Sequence, residues 1–358
     1  MWPSMETAGI YTDGEWSKVV GMLPPDLDAI ARETGALRRR RNVPNATALV
    51  RMGLAYALTK FSMKDVCVWA GAAEVTTISG PSFFYRLCQC ERLFERILSF
   101  VLCEGIPEAP TMRRIRIVDG TVITGPGSTG TDWRLHIMFD PVHGMFRSVE
   151  ITDAKGAEGY ARYEVQPGEI AMGDRCYSTA RGIDAVVNRE AHVLVRFNPY
   201  SMKVCNLNKE RIDVLSYEHR IAAGEIVSWD VLIPVPPDNA KSGRAWKIAK
   251  ARGWIRARIV ATRTPKNTVV WVLTTVPADE MSDEEALKLY RLRWQIELLF
   301  KRLKSQLHID ELPTRNGPTT KIWILCRLLA AALAQRLVCP SGLFSPYGAA
   351  LGRTPCHS

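Results

Sequence analysis

Apolar residues recur at helical spacing in the first third of the chain and at strand spacing through the middle. From Thr47 to Phe61 they fall three and four apart, and Pro44-Asn45-Ala46 offers a natural start, so a helix is predicted there. Ser62-Met63-Lys64-Asp65 has the form of a capping box and opens a short helix through Val66, Val68 and Trp69 that stops near Gly71. Ser79-Gly80-Pro81 precedes a third helical stretch, Phe83 to Cys103. Helix, short turn, helix is the shape of a helix-turn-helix DNA reader, and a plain helical bundle shares the pattern.

From residue 113 the period changes. Arg114 to Ile123, Trp133 to Phe139 and Met145 to Thr152 read as three strands, with Asp140-Pro141 and His143-Gly144 turning the second into the third. A short helix, a strand at Glu169 to Met172, a helix at Ser178 to Asn188 and a strand at His192 to Phe197 follow. Sequential strands followed by alternating helix and strand predict a mixed α/β sheet. Residues 200–278 read as a β-rich insertion, with strands at Glu225 to Ile233, Ile255 to Thr262 and Val269 to Thr275. Residues 282–307 and Lys321 to Leu337 read as two further helices. The chain thus divides into a helical region (1–110), the first part of a core (111–199), the insertion (200–278), core helices (279–340) and a tail without periodicity (341–358).

Composition narrows the class. Of 358 residues, 47% are hydrophobic and 23% charged, which excludes wholesale disorder. Lys plus Arg number 47 against 37 Asp plus Glu, a net charge of +10 that favours a polyanionic partner. Arg38, Arg39, Arg40 and Arg41 form a run that would serve as a phosphate clamp beside a DNA reader. The apolar run Leu328 to Ala334 falls far short of the roughly 20 residues that cross a bilayer, so no membrane partner is expected. Nine scattered cysteines and no secretory leader point to a reducing, cytoplasmic setting. No phosphate-cradling P-loop is present.

Two aspartates stand where chemistry gathers. Asp119 lies late in the apolar strand IRIVDGTVI, where a carboxylate is costly to bury unless it is paired or holds a metal. Asp174 follows the apolar segment IAMG at a strand-to-helix junction, where open α/β sheets collect ligands. An aspartate at a strand end is most often an ordinary turn or helix cap, so either one alone is weak evidence. On the helix of residues 282–307, Tyr290, Arg293, Glu297 and Lys304 are spaced by three, four and seven. At about 100° per residue they occupy a sector of roughly 60°, while Leu289, Leu292, Ile296, Leu299 and Leu303 form the packing surface. A solvated ion-pair face is the competing explanation.

Asp119, then Gly173-Asp174-Arg175-x-Tyr177, then Tyr290-x2-Arg293-x3-Glu297-x6-Lys304 resembles the DDE transposases of the bacterial insertion sequence 4 family. The resemblance spans roughly residues 45–338. It implies a ribonuclease-H-like mixed sheet with a β-rich insertion, preceded by a helical DNA-binding region. Asp119, Asp174 and Glu297 would be the catalytic and metal-binding carboxylates. They would hold two Mg²⁺ ions, with Mn²⁺ able to substitute, an arrangement suited to phosphodiester chemistry. Tyr290, Arg293 and Lys304, with Arg175 beside Asp174, would bind DNA phosphates, and Trp271 in VVWVLTT would stack a flipped base. Cys176 stands where the family usually has Gly or Ala, a small change that leaves Asp174 in place. The implied partner is double-stranded DNA, both transposon ends and target, held by a homodimer at the bacterial nucleoid. A DNA-binding product without cleavage and a nuclease without strand transfer stay open as alternatives.

Overall fold

A computed structural model describes residues 13–39, 42–103, 114–240, 247–314 and 317–338. The expected tail at 341–358, and Arg40 and Arg41 of the arginine run, lie outside the described residues. Six helices come first: α1 (Asp13–Val20), α2 (Leu27–Glu33), α3 (Ala46–Leu58), α4 (Met63–Ala72), α5 (Gly80–Leu87) and α6 (Glu91–Cys103). The capping box is formed, with Ser62 and Asp65 each satisfying the other's backbone N–H at the start of α4. The expected single stretch from Phe83 to Cys103 is broken after Leu87. Its apolar spacing, Phe83, Leu87, Cys90, Phe94 and Ile97, is uninterrupted, so the break has no hydrophobic signature. Local polar bonds decide it: Arg86 turns back to donate to the carbonyls of Ala36 and Arg39, and its own carbonyl accepts from the Cys90 thiol.

The sheet begins with β1 (Ile115–Ile123), β2 (Trp133–Asp140) and β3 (Met145–Asp153), which form an antiparallel meander. Next come β4 (Ile170–Gly173), helix α7 (Ala180–Val187) and β5 (His192–Arg196). β4 runs parallel to both β1 and β5, so the order β3-β2-β1-β4-β5 is that of a ribonuclease-H-like sheet. The insertion supplies β6 (Val204–Cys205), β7 (Arg211–Ile212), β8 (Ile226–Val235), β9 (Gly253–Arg263) and β10 (Val269–Thr274). These strands extend the same sheet, because β10 pairs antiparallel with β5 and the order continues β10-β9-β8-β6-β7. The chain closes with α8 (Asp283–Tyr290), α9 (Trp294–Leu307) and α10 (Thr320–Val338).

Both faces of the sheet are covered, as a parallel core requires. On one face, Ile115, Ile117, Ile170 and Met172 share a core with α9, α10 and the N-terminal helices α3 and α6. On the other, Val118, Ala171 and Val193 share a second core with α7 and the insertion strands. α10 is apolar on nearly every side, because α3 and α6 pack on it from one side and β3 from another. At the end of β1 and β2 away from the candidate carboxylates, buried Arg116 is held by Asp140 and Glu169, and Asp140 also accepts from His143 and Arg147. Burial pushes the Asp140 carboxyl up, but these cations outweigh it and hold the group well below the usual carboxylate range.

Candidate active site

The period of the strands places the two aspartates. Ile117 pairs with Met172 across parallel β1 and β4, so two residues further on Asp119, midway along β1, and Asp174, just past the end of β4, stand side by side. Adjacent strands are about 4.8 Å apart. Each aspartate shares the parity of an isoleucine and a methionine that face α9, so both carboxylates emerge on the side covered by that helix. Asp174 caps the turn after β4, accepting from the Cys176 N–H at 2.8 Å.

Glycine and tyrosine make that arrangement possible. A Cβ on Gly173 would stand 2.7 Å from Tyr177 Cβ and 2.8 Å from Tyr160 Oη, so only glycine fits between β4 and the tyrosines behind it. Tyr163 donates to the Asp119 carbonyl at 3.3 Å and lies 3.2 Å from the Tyr177 hydroxyl. This buried tyrosine cluster braces both strands. Residue spacing links only two of its members, since Tyr160 and Tyr163 bracket one 3-10 turn while Tyr177 closes another.

The helix supplies the third acid. The expected continuous helix over 282–307 contains a tighter 3-10 turn at Arg291–Arg293 between α8 and α9. In such a turn, residues i and i+3 eclipse, which stacks Tyr290 over Arg293 more directly than an ideal α-helix does. Arg293 Nη1 lies 3.9 Å from Asp119 Oδ2, and its Nη2 contacts Glu297 Oε1. One guanidinium therefore bridges Asp119 of β1 to the helix-borne Glu297. Glu297 is exposed, Lys304 is half-buried on the same helix, and Arg175 is exposed in the turn after Asp174. Arg38 and Arg39 are exposed on the helical region.

The electrostatics follow from burial and crowding. Burial pushes the Asp119 carboxyl up to about 7; Asp174 and Glu158 push it the same way, while the Gly120 N–H and Arg293 oppose them. Burial also pushes the Tyr290 hydroxyl up to about 12, against the pull of Arg293 and Arg196. A crowded set of carboxylate oxygens is the donor set that a hard divalent cation takes. Among the described residues, Glu158, Asp174 and Cys176 each bring a ligand atom within 4.8 Å of the others, a spacing that could hold such an ion.

Trp271 is 6% exposed in β10. Trp229 of β8 stacks on it with centroids 5.8 Å apart and planes at 29°, and Tyr217 lies 5.9 Å from Trp229. The sequence reading passed over Trp229, the partly exposed ring of this ladder, because only the cross-strand pairing of β8, β9 and β10 brings it near Trp271. Glu158, which the sequence reading also passed over, approaches Asp174 from the loop before β4.

A ribonuclease-H-like sheet whose adjacent central strands carry paired aspartates, facing a helix that carries a glutamate, defines an enzyme class that acts on phosphodiester backbones. The sequence model described as "Transposase DDE domain" matches residues 110–333, and the chain belongs to that family. It is similar to InsL, named for insertion sequence element IS186A of Escherichia coli (strain K12), with 32% identity over 364 residues, 95% of this chain and 98% of that protein. The transposase for insertion sequence element IS421 of Escherichia coli is also 32% identical, over 365 residues, 95% of this chain and 98% of that protein. A structure of the piggyBac transposase synaptic complex with hairpin DNA overlaps 90% of this chain and 72% of that chain, at a TM-score of 0.49 and 9% identity. The protein is thus an insertion-sequence transposase that acts on DNA, from a family that uses divalent metal ions. No helix among the described residues is long and apolar enough to cross a membrane.

Proposed function

We propose that this transposase cuts at the inverted-repeat ends of its element and joins the freed 3′-hydroxyls to target DNA. Asp119, Asp174 and Glu297 are the catalytic carboxylates of this reading, holding two Mg²⁺ ions, with Mn²⁺ an acceptable substitute. When bound, the pair of cations activates the attacking hydroxyl and stabilises the departing oxygen of the phosphodiester. The observation that carries the reading is that Arg293 ties Asp119 to Glu297 while the register of β1 and β4 sets Asp174 beside Asp119.

The chain's own residues supply the rest. Arg293 presents a planar fork to phosphate oxygens beside the buried Tyr290 hydroxyl, and Lys304 extends the cationic track along α9. Arg175 reaches the backbone beside Asp174. Helices α1–α6, with the Arg38–Arg41 run, bind the inverted repeat as a helix-turn-helix-like unit over residues 1–110. The core spans 111–199 and 279–340, and the insertion at 200–278 offers Trp229, whose ring stacks on the buried Trp271, to an unstacked base. A homodimer holding two ends at the nucleoid completes the reading.

The test is Mg²⁺-dependent cleavage of linear DNA carrying the element's inverted repeat. Asp119→Asn, Asp174→Asn and Glu297→Gln should each lower it by at least about a hundredfold, more than loss of an outer-shell partner does. Full cleavage by any of the three removes that residue from the catalytic set. A pre-cut end with a free 3′-hydroxyl, scored for joined product, separates a transposase from a nuclease without strand transfer.

A further inference from the structure

Glu158 belongs to none of the motifs that define the site; it lies in the loop between β3 and β4. A carboxylate oxygen of Glu158, one of Asp174 and the Cys176 sulfur all lie within 4.8 Å of one another. The same side chain also touches the other strand. A Cβ built on Gly120, the residue after Asp119, would stand 2.9 Å from Glu158 Oε1. Glu158 therefore touches the segments that carry both aspartates.

Its one ion pair is modest. Arg134 Nη1 on β2 lies 3.5 Å from Glu158 Oε1, with both side chains roughly a quarter exposed, at 24% and 22%. Two carboxylates as close as Glu158 and Asp174 repel each other when half-buried, and a shared cation turns that repulsion into coordination. The Cys176 sulfur adds a donor that hard ions ignore and soft ions prefer.

We infer that Glu158 is a fourth carboxylate ligand of the catalytic centre, sharing the cation held by Asp174, and that Cys176 joins them when the ion is thiophilic. This rests on the reading of Asp119, Asp174 and Glu297 as metal ligands. It concerns binding before any DNA chemistry, so it can be read without a reaction.

The experiment measures Mn²⁺ binding by electron paramagnetic resonance, and Cd²⁺ binding by its competition with Mn²⁺, on the full chain without DNA. Glu158→Gln, Cys176→Ser, Arg134→Gln and Asp174→Asn are compared with wild type, each after a melting curve establishes folding. Glu158→Gln should weaken both ions by about tenfold or more, and Cys176→Ser should weaken Cd²⁺ alone. Glu158→Asp, which keeps the charge but shortens the arm, should fall between wild type and Glu158→Gln and serves if the glutamine variant does not fold. Wild-type Mn²⁺ affinity in Glu158→Gln alongside a loss in Asp174→Asn overturns the role of Glu158 and spares the catalytic reading. Wild-type affinity in Asp174→Asn removes the catalytic reading itself. An Arg134→Gln loss as large as that of Glu158→Gln shows that Glu158 acts only through its ion pair, and Cd²⁺ bound unchanged by Cys176→Ser removes the thiol.

Discussion

Arg293 Nη1 faces Asp119 Oδ2 at 3.9 Å while the same guanidinium contacts Glu297. Residues far apart in the sequence thus share one cation, and that cation comes from the signature otherwise expected to grip phosphate. Both roles suit a planar fork with donors on several edges. A divalent ion held by these carboxylates would neutralise the same charge and leave Arg293 to the DNA backbone.

Arg293→Gln should therefore weaken binding of end DNA by about tenfold or more, the range expected for losing charge-assisted hydrogen bonds. Arg293→Lys should not restore it, because an ammonium cannot span Asp119 and Glu297 together. Fluorescence anisotropy with a labelled end reads both variants. Wild-type affinity in Arg293→Gln would leave it a purely structural clamp.

The Asp119 carboxyl makes stability depend on pH in a direction opposite to most acids. Its folded value is about 7 against an ordinary 3.8, so the folded chain keeps a proton that the unfolded chain releases. That contribution is fully present below the unfolded value and is lost as pH rises through the folded one. In chelator, wild type should lose a few kcal/mol at most between about pH 4 and pH 7 from this group. Asp119→Asn should flatten that part of the profile and be more stable than wild type at pH 8. Urea unfolding at several pH values checks it; parallel profiles for the two proteins would contradict the burial argument.

Gly173 is a packing requirement. Gly173→Ala would drive a methyl into Tyr177 and Tyr160, so a loss of about 1–3 kcal/mol in unfolding free energy is expected. A neutral result in calorimetry would mean the tyrosine cluster yields, and Asp174 with it.

Trp229 and Trp271 should separate by assay. Trp271 is buried in β10, so Trp271→Ala should cost about 3–5 kcal/mol of stability. Trp229 carries the accessible ring, so Trp229→Ala should cost about 1–3 kcal/mol in affinity for an end with an unpaired base. The reverse pattern, with Trp229→Ala silent in binding and Trp271→Ala fully folded but weak, would return the stacking role to Trp271.

Much of this molecule is written in local pattern. The strand periods of β1, β4, β5 and β8–β10 and the capping box at Ser62 could all be read from residue order, because each depends on neighbours within one turn or strand. The break after Leu87 and the 3-10 turn at Arg291–Arg293 could not. Their apolar periods run straight through, and the deviations are set by polar contacts such as Arg86 with Ala36 and Arg39.

The residue order by itself determined which side chains carry charge at the ends of apolar strands and along one helix, since period and composition act over a few residues. Only the tertiary structure decided that the insertion extends the core sheet through β5 and β10, that Trp229 covers Trp271, and that Glu158 comes to rest beside Asp174. Those outcomes depend on strand pairing and loop closure between distant segments, where the free energy lies in contacts that no stretch of sequence contains on its own.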